Sequence, residues 1–201
     1  MSEETVIDHE ESSDTSMKEQ LHVHDTYAIM WTLLAALIGA GIYLIVEMIP
    51  MPYLAIGLFS FGFVSSLAVI ATVGAIRGPI AGFLTGYIGE LIVAIFLTGG
   101  IVSFTLYGVA FGALGLVSGI PSYDFTNGRS LAKLSVLSAI GLVFTALITA
   151  IIGLFVEQVA TLVAIGFQLL PLLTIGLPTV ILLTPLFARL WHIVSTNLPW
   201  P

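Results

Sequence analysis

The chain has 201 residues, 58% of them hydrophobic, no cysteine, and a formal net charge of −7. Eight of its twelve acids fall in residues 1–25, and residues 26–201 carry four acids against four bases, so the acidity belongs to the tail. So few bases exclude a basic surface for nucleic acid, and the lack of cysteine excludes disulfides and Cys-ligated metal or iron–sulfur centres.

Residues 1–25 are rich in Glu, Asp, Ser and Thr and hold too little apolar surface to fold alone, so they are expected to form a disordered acidic cytoplasmic tail. They have neither the apolar core nor the basic start of a signal peptide. His22-x-His24-Asp25, with His9 upstream, groups metal-binding residue types. Ligands on a flexible segment do not converge, however, so no metal and no cofactor is expected.

Residues 26–201 read as one membrane domain. Six apolar stretches, 28–46, 54–76, 79–97, 101–119, 131–155 and 159–190, each reach the ~20 helical residues that a ~30 Å hydrocarbon core demands. The expected fold is all-α and integral to the membrane, with six transmembrane helices. Arg77, Arg129, Lys133 and Arg189 fall in the joints of one side, and Glu47 and Glu157 mark the other. Cytoplasmic loops collect Lys and Arg, which places both termini in the cytoplasm of a multi-pass protein of the cell membrane. Trp31 and Trp191 then lie at the inner interface, where amphipathic rings settle.

In chain order, segment one offers a flat small-residue face of Ala36, Gly39 and Ala40, suited to close approach by another helix. Spacing alone does not say whether that helix belongs to this chain or to a partner. Segment three opens on Gly78-Pro79, a tight turn followed by a proline in the first helical turn. Gly78, Gly82, Gly86 and Glu90 follow one another by four, forming a stripe for close helix contact that ends in a carboxyl. A carboxyl within an apolar span faces the bundle interior or a wet cavity rather than lipid. Segment four continues the glycine theme with Gly108 and Gly112, and the short joint before it makes segments three and four an antiparallel hairpin. Segment six carries Pro171, Pro178 and Pro185 seven apart, which predicts a kink or local break around Thr174-Ile175-Gly176-Leu177-Pro178. On a 1.5 Å rise, Glu90 and Gln168 lie about 13–15 Å below the outer surface and Tyr107 about 10 Å below it, depths that permit one shared pocket.

The run Gly78-Pro79-x-x-Gly82-x-x-x-Gly86-x-x-Gly89-Glu90-Leu91 resembles the second-to-third-helix signature of the substrate-binding subunits (S components) of energy-coupling factor (ECF) transporters. Ala36-x-x-x-Ala40 is similar to the small-residue motif by which those subunits dock on their transmembrane coupling subunit, and the likeness spans roughly residues 28–195. The resemblance implies a lipid-embedded subunit that binds a vitamin-like solute from outside and works with a coupling subunit and two ATPases. Its substrate site would lie in the outer half, in the 1–2 loop and helices four to six. Glu90, Tyr107 and Gln168 are then the candidate substrate ligands, with Glu47 and Tyr53 on a lid, Glu47-Met48-Ile49-Pro50-Met51-Pro52-Tyr53.

The outer half has no Lys, Arg or His, so an anionic solute would lack a counter-charge, and neutral or cationic solutes fit better. The nickel and cobalt branch of the family uses a histidine close to the amino terminus, where this chain has Ser2 and Glu3, so metal transport is not expected. The chain has no Gly-x-x-x-x-Gly-Lys-Ser/Thr run, no His-Glu-x-x-His and no Gly-x-Ser-x-Gly, and is read as no enzyme. A stand-alone channel or secondary carrier using Glu90 as a cation or proton site is the alternative.

Overall fold

A computed structural model of the chain describes residues 26–49, 54–56, 59–61, 64–98 and 104–197. The acidic tail and Tyr53 lie outside the described residues. Helix α1 spans Thr26–Glu47, strands β1 (Leu54–Ile56) and β2 (Phe59–Phe61) follow, and α2 spans Ser65–Arg77. Helix α3 is Pro79–Val93, extended by a π-helical turn over Ala94–Thr98, and α4 is Phe104–Gly119. Helix α5 is Gly128–Phe155, and α6 runs Thr161–Asn197 with a π-helical stretch at Ala164–Leu169.

Four of these helices, Tyr27–Glu47, Pro79–Phe96, Gly128–Phe155 and Thr161–Asn197, are long and apolar enough to cross a membrane, and Ser65–Arg77 and Leu106–Gly119 are shorter apolar helices. The chain is a multi-pass membrane protein. Leu37, Ile38, Phe144, Ile151, Leu182 and Leu186 are exposed, an outer surface that suits hydrocarbon and not water.

The second apolar segment does not form one long helix from residue 54. Its first part is an antiparallel hairpin pairing Leu54 with Phe61, Ala55 with Ser60 and Ile56 with Phe59. Phe59-Ser60-Phe61 alternates with the period of two that a strand favours, and Gly57 leads the two residues between the strands, a hairpin signal that hydropathy alone does not register. The helix that remains, α2, has 13 residues and so is about 20 Å long, shorter than a hydrocarbon core.

That short helix is the centre of the bundle. Helices α1, α3, α4 and α6 pack on it, and α5 closes the arc between α4 and α6. Ser66 to Thr72 of α2 are all buried, and Leu67, Ile70 and Ala71 join Tyr43, Leu114, Leu142 and Val180 in the main core. The turn from α2 to α3 is made at Gly78, whose φ of 97° lies in the left-handed region. Pro79 then starts α3 without needing an N–H.

Helices α3 and α4 run antiparallel in backbone contact. A Cβ at Gly86 would stand 2.6 Å from the Phe111 carbonyl oxygen, one at Gly112 2.7 Å from the Phe83 ring and one at Gly108 3.0 Å from the Tyr87 carbonyl. Gly82 meets Gly115 in the same way, backbone against backbone. In α6 the departure from α-geometry is at Ala164–Leu169, and not around Thr174–Pro178, where helix continues through Pro178 and Pro185. Pro171 has no N–H for the carbonyl four residues earlier, and the preceding turn widens to a π-turn just upstream of it.

Candidate functional site

Glu90 sits in the last turn of α3, one turn before the π-helical extension. A carboxylate in an apolar span needs a partner, and it has one: the Tyr43 hydroxyl of α1 donates to Glu90 Oε2 at 2.8 Å. Tyr43 is 2% exposed. Its ring has space because residue 89 is glycine, where a Cβ would lie 2.8 Å from Tyr43 Cδ1. Gly89 and Glu90 thus act together, one admitting the ring and the other receiving its hydroxyl.

On the opposite wall, Gln168 lies within the π-helical stretch of α6. Its Nε2 donates to the Tyr107 hydroxyl of α4 at 3.3 Å and reaches Glu157 Oε2 at 3.4 Å. The amide packs against Gly153 of α5, where any side chain would collide with Gln168 Oε1. Oε1 itself is buried without a donor among the described residues. Thr149 of α5 is 5% exposed, and its hydroxyl also has no partner among the described residues.

These groups border one cavity of about 400 Å³, toward the lower end of the roughly 300–1,000 Å³ common for small-molecule sites. Glu90 from α3, Tyr107 and Phe111 from α4, Thr149 from α5 and Phe167, Gln168 and Leu172 from α6 line it, with Val64 and Leu67 at the start of α2. The cavity opens in the bundle where the central helix begins: α2 is only 13 residues long, and its neighbours extend past its start. The Val64 N–H, just ahead of α2, donates to Thr179 Oγ1 of α6 at 2.9 Å, which ties that end to the α6 wall.

Of the residues singled out in the sequence, Glu90, Tyr107 and Gln168 meet in this cavity. Glu47 is exposed at the end of α1 and is not part of the lining. Ala36, Gly39 and Ala40 require a correction as a partner interface. Ala36 and Ala40 are 0% exposed, and a Cβ at Gly39 would stand 2.9 Å from both Thr85 of α3 and Val73 of α2. The small face is used inside the chain, because α1 must come close enough to α3 for Tyr43 to reach Glu90. Gly82, Gly86, Gly108 and Gly112 lie in the α3–α4 seam, and Gly78 makes the α2–α3 turn.

Tyr43 and Thr149 are site residues that the sequence reading passed over. Tyr43 stands four residues before Glu47 and Thr149 six before Phe155, so the depth argument that grouped Glu90 with Gln168 would have reached both. Among the described residues, every Lys, Arg and His falls at the opposite end of the bundle, at Arg77, Arg129, Lys133, Arg189 and His192. Near the cavity the charges are carboxylates alone. No grouping of three or more His, Cys, Asp or Glu that could hold a metal exists among the described residues. No family model, curated protein or solved structure matches this chain.

Proposed function

We propose that this chain is a membrane-embedded solute-binding protein that takes a small neutral or cationic solute from outside into the cavity beside Glu90. The observation that carries the reading is convergence: polar side chains from α3, α4, α5 and α6 meet in one largely apolar cavity at the end of the bundle that has no base. In this proposal the protein serves as the substrate-binding subunit of an ECF-type importer in the plasma membrane, with six spans and both termini inside. A coupling subunit and two ATPases supply the energy. The resemblance over Gly78 to Leu91 supports that assignment. With Ala36 and Ala40 buried, docking falls to a different, lipid-exposed face.

A stand-alone carrier is the second reading, and the same burial favours it, because it removes the small-residue face as a docking surface. Affinity purification of the tagged full chain from its own membranes separates the two. Recovery with an integral membrane protein and two ATPases is the result expected of a substrate-binding subunit. Recovery alone, together with solute uptake into proteoliposomes without ATP, would move the assignment to a carrier. Cysteines introduced at Ser122 and Gln158 test the orientation, with labelling expected from inside and outside respectively.

A further inference from the structure

The cavity is rich in acceptors and has no cation of its own. Glu90 accepts one hydrogen bond, from Tyr43, where a carboxylate has room for about four. Thr149 Oγ1 and Gln168 Oε1, on the cavity wall, are covered by protein and have no hydrogen-bond partner among the described residues. A solute that carries N–H groups and a positive charge answers the unmatched carboxylate. A carboxylate or phosphate solute would instead bring a second anion against Glu90.

The walls also fix which way such a solute lies. Val64 and Leu67 belong to the start of α2, and a helix N-terminus carries partial positive charge, which repels a cation placed upon it. The charged head therefore belongs against the α3 wall at Glu90. The remaining lining, Leu67, Phe111, Leu172 and Ile175, is apolar and matches a hydrocarbon or aromatic body.

We propose that the cavity takes a protonated amine, its ammonium N–H groups bonded to Glu90 and its apolar body lying between Leu67 and Phe111 on one side and the α6 wall on the other. This rests on the solute-binding reading above and narrows its neutral or cationic solute to an N–H-bearing cation.

The test is calorimetric titration of the purified full chain in detergent, at neutral pH, with benzylammonium, benzyltrimethylammonium, benzyl alcohol and benzoate. Benzylammonium is expected to bind at least about tenfold more tightly than the other three, since a hydrogen bond to a charged group contributes about 1.5–3 kcal/mol. Glu90→Gln should cost benzylammonium about tenfold and leave benzyl alcohol nearly unchanged. If that variant does not fold, Glu90→Asp carries the comparison: it keeps the charge but withdraws the carboxylate by one methylene, with a loss of about threefold expected for benzylammonium and none for benzyl alcohol. Equal binding of benzylammonium and benzyltrimethylammonium would overturn the N–H requirement. Equal binding of all four would overturn the choice of head group and leave the cavity as a solute site. Binding of none would overturn this inference and the solute-binding reading together.

Discussion

The two ends of the bundle are built from the same apolar helices and differ in how closely the backbones meet. At the basic end, Gly74 of α2 and Gly82 of α3 both press on Gly115 of α4, and Gly119 lies against Pro79, so three helices touch with no side chain between them. Ala75, Leu134 and Ala188 close the core there, with Tyr123 and Phe125 packed on it. The α4–α5 joint is fastened as well. Tyr123 donates to the Ser118 carbonyl at 2.8 Å, and Asn127 caps α5 by accepting from the Arg129 N–H at 3.0 Å. Burial pushes the Tyr123 hydroxyl up to about 12, so it stays a donor across the ordinary pH range.

At the acidic end the central helix has not yet begun, and two neighbours, α3 and α6, carry π-turns there. Large side chains pack there, Tyr43 and Phe111 in the main core, and Gly89 and Gly153 admit the Tyr43 ring and the Gln168 amide instead of bringing two backbones together. The lesson is that a membrane cavity needs no special wall. It follows from joining helix backbones directly at one end of a bundle and starting the central helix late at the other.

The largest expected effect comes from breaking the tight end. Gly115→Val would drive a branched side chain into the α3 backbone at Gly82, which has no flexible group to move aside. A loss of about 3 kcal/mol or more is expected, at the upper end for overpacking. Gly41 is the control: a Cβ there meets nothing within 4 Å, so Gly41→Ala should leave stability within about 0.5 kcal/mol. Reversible unfolding in mixed micelles measures both, and equal effects of the two substitutions would refute the contrast.

A smaller effect is expected at the open end. Tyr43→Phe preserves the ring packed against Gly89 but leaves Glu90 without its donor, with a cost of about 1–3 kcal/mol in the same unfolding assay. Solute affinity should change in the opposite sense, because Glu90 is then unpaired until a ligand arrives. A stability loss with unchanged affinity would assign Tyr43 to packing alone.

The smallest effect is at the basic end and depends on pH. Asp124 Oδ1 accepts from the Thr126 hydroxyl at 2.6 Å and from the Thr126 N–H at 3.0 Å. These bonds hold its carboxyl below the usual Asp range, helped by the nearby His192. A depressed folded-state pKa contributes stability that is present above the unfolded value, about 4, and is lost as pH falls through the lower folded value. Asp124→Asn should flatten that acid-side decline slightly, and an identical profile in the variant would show that the fully exposed Asp124 contributes nothing.

Much of this contrast was legible in the sequence. The glycine spacing of segments three and four pointed to a tight hairpin, and counting rises from the outer joints grouped Glu90, Tyr107 and Gln168. Three features were not. Hydropathy does not separate an aromatic-rich hairpin from a helix, so the late start of α2, and with it the origin of the cavity, was hidden in Phe59-Ser60-Phe61. The small face of α1 looks the same whether it meets a partner or Thr85 and Val73 of its own chain. The prolines of α6 marked a departure from regular helix but not its place, because a missing N–H is absorbed upstream, in the turn before Pro171.

The widened turn of α6 has a consequence for how this chain tolerates change in length. A π-turn is an α-helix holding one surplus residue, so the stretch Ala164–Leu169 amounts to an insertion whose downstream register is fixed by the packing of Leu170–Asn197. Removing one residue there would relax the turn to ordinary helix and leave Thr161–Val163 near its present facing, because the surplus residue is the one removed. Removing one residue further along would turn the whole upstream segment, Gln168 with it, away from Tyr107. Single-residue deletions should therefore be tolerated ahead of Gln168, at Ala164–Phe167, and not at Gln168 or further along the helix.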